Sequence, residues 1–167
     1  MDSAEALFTT HRDGIFRYLC RIVGPGDASD LTQEVFLRVS RASVPDIPPE
    51  ALRAWVFRIA RNLALNHRRD AGRRPGTAEL TDVSHRAPQE TSLAMRQALD
   101  QLAPLDRDVF LLREVSGLSY GEIADSCDLT LDAVRSRLHR ARQQLRAALQ
   151  PLSGGTASIY VRLYDSQ

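Results

Sequence analysis

The chain has 167 residues, 22 of them basic and 21 acidic, for a formal net charge of +1, a sum that by itself speaks against a protein coated for polyanions. Its length suits one domain of about 150 residues or two of about 70. Its uncharged stretches stop well short of the roughly 20 apolar residues of a membrane span. The start, Met1-Asp2-Ser3-Ala4-Glu5, has no basic and apolar leader, so a cytoplasmic protein is expected.

The apolar spacing predicts helices nearly throughout. Residues 5–22 carry Leu7, Ile15, Phe16, Leu19 and Ile22 at helical intervals, and Gly24-Pro25-Gly26 stops the chain. Asp27 is expected to cap a second helix with the apolar face Leu31, Val35, Phe36 and Val39. After the proline-rich loop 43–49, a third helix from about Glu50 to Arg69 has an apolar stripe of Leu52, Trp55, Val56, Ile59 and Leu63. Arg58, Asn62, Asn66 and Arg69 fall on another face, and Trp55 and Phe57 are aromatics beside it that could stack on unpaired bases. Residues 71–90 lack periodicity and read as a flexible linker. Four more helices follow, at about 91–102, 105–115, 119–126 and 131–149, with Gly117 ending the second and Thr130 capping the last. In the tail 150–167, residues 159–164 alternate like a short strand.

Charge along the chain is more telling than its sum. All 22 basic residues are Arg; segment 51–74 carries seven Arg and one acid, and 135–148 carries five Arg and none. The segments between and before them are acidic, so two basic blocks sit in an acidic background. Arg can grip a phosphate or a guanine edge with two bonds. Cys20 and Cys127 lie more than a hundred residues apart without a CxxC or Cys/His cluster, which fits buried thiols better than zinc or a redox pair.

Residues 119–140 have the form of a helix-turn-helix. Ile123 and Ala124 pack inward from the first helix, while Val134 and Leu138 anchor the second and leave Asp132, Arg135, Ser136, His139 and Arg140 exposed. Those donors suit guanine edges and phosphates. On the second helix, Asp30, Gln33 and Glu34 form an acidic-polar face.

Asp27-Ala-Ser-Asp-Leu-Thr-Gln-Glu-Val-Phe-Leu-Arg-Val39, Ala54-Trp-Val-Phe-Arg-Ile-Ala-Arg-Asn-Leu-Ala-Leu-Asn66, Leu118-Ser-Tyr-Gly-Glu-Ile-Ala124 and Val134-Arg-Ser-Arg-Leu-His-Arg-Ala-Arg142 together resemble the extracytoplasmic-function (ECF) sigma factors of bacterial RNA polymerase. The resemblance covers about residues 5–149. It implies an all-α protein of two small helical domains: sigma domain 2 at 1–70, a linker at 71–90 and sigma domain 4 at 91–149, with a C-terminal extension at 150–167.

The resemblance also assigns roles. Asp30, Gln33, Glu34 and Phe36 match the surface that docks on core polymerase. The loop 43–50 with Asn62 matches the element that captures a flipped base of the minus-ten element, and Trp55, Arg58, Arg61 and Asn66 match the lining of the melted strand. Arg113 matches a backbone-contacting position, and Arg135, Ser136, His139 and Arg140 match the positions that read the duplex minus-thirty-five element. The implied partners are core RNA polymerase, promoter DNA and an anti-sigma factor. Neither enzymatic activity, a metal, a cofactor nor a small-molecule substrate is expected. The competing reading is a stand-alone helix-turn-helix regulator of duplex DNA, which uses 119–142 but not 27–66; a third is a protein-interaction adaptor with a degenerate DNA helix.

Overall fold

The computed structural model describes residues 3–72 and 89–150. Among these residues there are seven helices and no strand: α1 (Ser3–Val23), α2 (Pro25–Arg41), α3 (Pro49–Gly72), α4 (Gln89–Gln101), α5 (Pro104–Glu114), α6 (Tyr120–Cys127) and α7 (Leu131–Leu149). The strand expected at 159–164 lies outside the described residues, as does most of the expected linker.

The Gly24-Pro25-Gly26 triplet both ends α1 and starts α2. Gly24 takes the N-cap position at φ 86°, open to glycine at no steric cost, and Pro25 occupies the first turn with its φ already set. Asp27 is therefore not the cap expected from the sequence. It lies inside the first turn, where a negative charge suits the helix N-terminus, and its Oδ2 is 2.9 Å from Nε2 of His67 on α3.

By contacts the chain divides into two units, and neither is a continuous stretch. The first joins α1, α2 and α3 to Leu111–Val134; the second joins α4 and the chain through Phe110 to Arg135 onward. In the first unit Ile15, Tyr18 and Leu19 of α1 and Val35, Phe36 and Val39 of α2 are buried, with Val56, Phe57 and Leu63 of α3. Edge-to-face rings join them: Tyr18 with Phe57 at 6.1 Å and Phe8 with Phe36 at 4.8 Å between centroids. In the second unit Leu99, Leu102, Val109 and Phe110 are buried, as are Leu138, Ala141, Leu145 and Leu149 of α7.

The buried face of α3 departs from the expected stripe. Val56 and Leu63 are buried as expected, but Leu52, Trp55 and Ile59 are only half-buried. The face is instead built on Ala54, Phe57, Ala60 and Ala64. Counting large apolar residues misses alanines, which let neighbouring helices approach closely. Phe57, expected beside the basic face, is 1% exposed and belongs to the core.

Phe57→Ala should therefore cost about 3–5 kcal/mol, the range for emptying a buried aromatic site, whereas Leu52→Ala should cost about 1 kcal/mol for its half-buried side chain. Urea unfolding followed by helical circular dichroism measures both; equal costs would contradict this description of the α3 face.

Candidate nucleic-acid interface

Helix α7 begins as its sequence foretells. Thr130 Oγ1 accepts a hydrogen bond from Ala133 N at 3.2 Å, satisfying one of the unpaired first-turn donors. Val134, Leu138, Ala141 and Leu145 turn inward at helical spacing, which leaves Arg135, Ser136, His139 and Arg140 exposed. Asp132, also exposed, lies in the first turn, where its charge favours the helix N-terminus.

One of these arginines is held from behind. Asp106, in the first turn of α5, is only 2% exposed. Its carboxylate accepts from Arg137 Nη1 at 2.7 Å and from Arg140 Nε and Nη2 at 2.9 and 3.2 Å. Burial pushes the Asp106 carboxyl up, but the hydrogen bonds and charges of Arg140 and Arg137 outweigh it and hold the group below the usual carboxylate range. The hydrogen bond and charge of Asp106 in turn raise the Arg140 guanidinium above its ordinary value.

The shorter helix α6 starts with a capping box. Ser119 Oγ accepts from Glu122 N at 3.2 Å while Glu122 Oε2 accepts from Ser119 N at 2.7 Å. Just before it, Arg113 Nη1 donates to the carbonyl of Leu118 at 3.0 Å, and its guanidinium lies 5.4 Å over the Tyr120 ring. Arg113 is thus engaged in holding the turn. Helix α6 ends at Asp128, whose backbone is left-handed.

On α3, Trp55, Arg58, Asn62 and Asn66 follow one another in three- and four-residue steps. Asn62 and Asn66 are exposed; Trp55 and Arg61 are half-buried. Arg58 pairs with the carboxylate of Asp128. On α2, Asp30 and Gln33 are exposed and Glu34 accepts from Arg38 Nε at 2.8 Å one turn on. Phe36 does not share that face, since it is 8% exposed against Phe8. Beside Gln33 a groove of about 430 Å³ runs between α1 and α2, lined among others by Phe8, Phe16 and Thr32.

Arg53, which no sequence pattern singled out, is the main polar link between α3 and the α5–α6 turn. It donates to the carbonyl of Ser116 at 2.5 Å and lies 3.5 Å from the Gly117 carbonyl and the Glu122 carboxylate. His11 of α1 is close enough to feel both charges: burial lowers its pKa first, Arg53 lowers it further, and Glu122 opposes them. The Ser119-Tyr-Gly-Glu122 spacing could have revealed the capping box. Nothing local could have revealed Arg53 as its neighbour, 69 residues away. Cys20 is half-buried with its thiol raised by burial, Cys127 is buried, and neither is in a disulfide. No group of three or more His, Cys, Asp or Glu among the described residues could hold a metal.

Two family models match the chain. Residues 7–74 match "Sigma-70 region 2" and residues 92–145 match "Sigma-70, region 4". The ECF RNA polymerase sigma-E factor of Escherichia coli K12 is 33% identical over 87% of this chain and 86% of its own length. This chain belongs to the ECF RNA polymerase sigma factors. It is also 38% identical to the ECF sigma factor SigE of Mycolicibacterium smegmatis over 94% of this chain, a match that spans 65% of that relative. Among solved structures, CnrH in complex with the cytosolic domain of CnrY superposes with TM-score 0.67 at 27% identity, covering 89% of this chain and 88% of that one. The sigma factor RpoE from Bartonella quintana, solved with the anti-sigma factor NepR, superposes with TM-score 0.68 over 87% of this chain and 96% of that one; at 20% identity that likeness is one of fold. The sigma factor is a transcription initiation factor with a DNA-binding helix-turn-helix in its region 4. No described helix is long and apolar enough to cross a membrane.

Two outcomes follow from the Arg53 cluster. Arg53→Ala should cost about 2 kcal/mol, the scale of a charge-assisted hydrogen bond left unmade, whereas Glu122→Gln, which can keep the capping box, should cost about 1 kcal/mol. Fluorescence of Trp55, the single tryptophan, reports this unfolding. Because the folded pKa of His11 lies below its ordinary 6.5, the unfolded chain binds the proton first, and stability should fall as pH drops below 6.5. His11→Asn should flatten that part of the pH profile; an unchanged profile would rule His11 out as its source.

Proposed function

We propose that this sigma factor binds core RNA polymerase, directs it to promoters with minus-ten and minus-thirty-five elements, and acts as a non-enzymatic initiation factor in the cytoplasm. In this reading 1–70 is the docking and melting domain, 71–90 the connection, 91–149 the duplex-reading domain and 150–167 an extension. Asp30, Gln33 and Glu34 face the polymerase, alongside the groove between α1 and α2. Phe36 serves that face from beneath, as packing. Trp55, Arg58, Arg61, Asn62 and Asn66 meet the melted strand, and Arg135, Ser136, His139 and Arg140 read the duplex. Arg113 supports the turn ahead of the helix-turn-helix and contacts the DNA backbone from there.

The observation that carries the reading is the presence of both region 2 and region 4 in one chain, in order, each with a helix that offers Arg or Asn to solvent. A stand-alone duplex regulator has no use for the first of these. Unpairing and unstacking a captured base costs a few kcal/mol, more than one small basic face can offset. Two domains fixed on a polymerase share the cost through high effective concentration. Since two structural neighbours were solved with CnrY and with the anti-sigma factor NepR, an anti-sigma factor that covers these faces is the expected regulator of this chain.

Run-off transcription on fragments of its own genome, with core polymerase and with or without this protein, tests the reading: the expected result is new, discrete start sites, and their absence would sink it. At such a promoter Asn62→Ala should slow opening with duplex affinity unchanged. Arg135→Ala should weaken recognition of the upstream element roughly tenfold, within the range of a lost bidentate base contact. Gel filtration with the product of the adjacent gene tests the regulator, for which co-elution is expected.

A further inference from the structure

A carboxylate that is nearly out of water and lies against two arginines of a DNA-facing helix has to be explained by what it does to them. Asp106 Oδ2 accepts from Arg140 Nε at 2.9 Å, and Asp106 Oδ1 accepts from Arg140 Nη2 at 3.2 Å. The guanidinium is met along one edge by both oxygens, a two-bond grip that fixes its plane. The opposite edge has its donors left over, and the Arg140 side chain is still 53% exposed. Arg137 Nη1 donates to the same Oδ1 at 2.7 Å, with a side chain 28% exposed. Two positive charges therefore share one negative charge at the surface of α7.

We propose that Asp106 is a positioning residue for duplex recognition: it sets the orientation of Arg140 toward a base edge and, by offsetting one of two cations, lowers the attraction of this face for phosphates of any sequence. The proposal rests on the reading of α7 as the duplex-reading helix. Its physical basis is twofold. An arginine already fixed by one edge loses less freedom when the other edge meets a guanine. Sequence-independent binding grows with the number of phosphates a protein neutralises, and each adds about 0.9 to the slope of log affinity against log salt. A carboxylate beside two arginines removes one such contact while leaving the directed donors in place, so it favours discrimination over raw affinity.

The alternative is that Asp106 only holds α5 and α7 together. Full-length protein assembled with core polymerase separates the two. Because the upstream sequence is unidentified, the probes are a pool of duplexes with a randomised upstream window, selected and sequenced, and one fixed duplex without the enriched motif, titrated across a salt series. Asp106→Asn keeps the shape and removes the charge. It should reduce motif enrichment roughly tenfold, on the scale of one bidentate contact, and steepen the salt slope on the fixed duplex by about 1. Asp106→Glu keeps the charge on a longer arm, so the slope should stay at the wild-type value while enrichment falls. Arg140→Lys, which cannot be held along an edge by two bonds, should lose enrichment with the slope unchanged.

A folded Asp106→Asn protein with wild-type enrichment and wild-type slope overturns the proposal, even if its melting temperature is lower. If Asp106→Asn does not fold, wild-type enrichment by both Asp106→Glu and Arg140→Lys overturns it instead. A wild-type protein that enriches no motif brings down the reading of α7 itself and this proposal with it, an outcome distinct from failure of the variants alone.

Discussion

A guanidinium that is more than half covered must find several acceptors, and the way Arg53 meets this need organises the first unit. Its side chain is 29% exposed, so water can satisfy only part of it. The rest is met by the Ser116 and Gly117 carbonyls and by Glu122, on a turn 63 or more residues away in sequence. Glu122 is already committed to the α6 capping box, so a single carboxylate both starts α6 and lies against α3. The positive φ of Gly117, 66°, is part of the arrangement. It follows the turn at the end of α5, and any side chain there would be strained.

The same economy recurs at each arginine-rich face. Arg58 pairs with Asp128, and Arg137 and Arg140 share Asp106. Both acids sit at helix ends, Asp106 in the first turn of α5 and Asp128 at the C-cap of α6. A helix end is a natural place for a short acidic residue, so local structure supplies anions beside basic faces. These pairs set a carboxylate against Arg58, Arg137 and Arg140.

Much of this was legible in the sequence, and the reason is periodicity. All seven helices follow from apolar spacing and from turn residues such as Gly24, Pro25 and Gly117. The exposed positions on α7 followed from Val134 and Leu138, because fixing two inward residues on a helix fixes every outward one. Three things were not legible. The N-cap of α2 is Gly24 and not Asp27 because Pro25 sets the first turn three residues earlier than side-chain capping suggests. Phe57, expected beside the basic face, is buried, since an aromatic on an amphipathic helix can fall at the margin of its apolar stripe, whereas Phe36 is buried on the apolar face where the spacing puts it and not on the docking surface that the resemblance implies. The roles of Arg53 and Asp106 depend on partners far along the chain, and no window of sequence contains both members of such a pair. A hint existed in Asp106-Arg-Asp108, three charged residues in a helix otherwise buried on most sides, where each charge requires a partner.

Because the shortest bond of Arg53 goes to a main-chain oxygen, it places no demand on the side chain at position 116. A carbonyl is present whatever residue stands at position 116, so substitutions there leave the acceptor in place and demand no compensating change at 53. Two positions joined this way are free to vary independently even though they touch. Methods that infer proximity from correlated substitution would find the partnership of Arg53 with Glu122 and overlook the tighter one with Ser116. The most constrained feature of that turn would then be its glycine, whose backbone angle aims the oxygens, and a substitution at Gly117 would act on Arg53 without any contact between their side chains being lost.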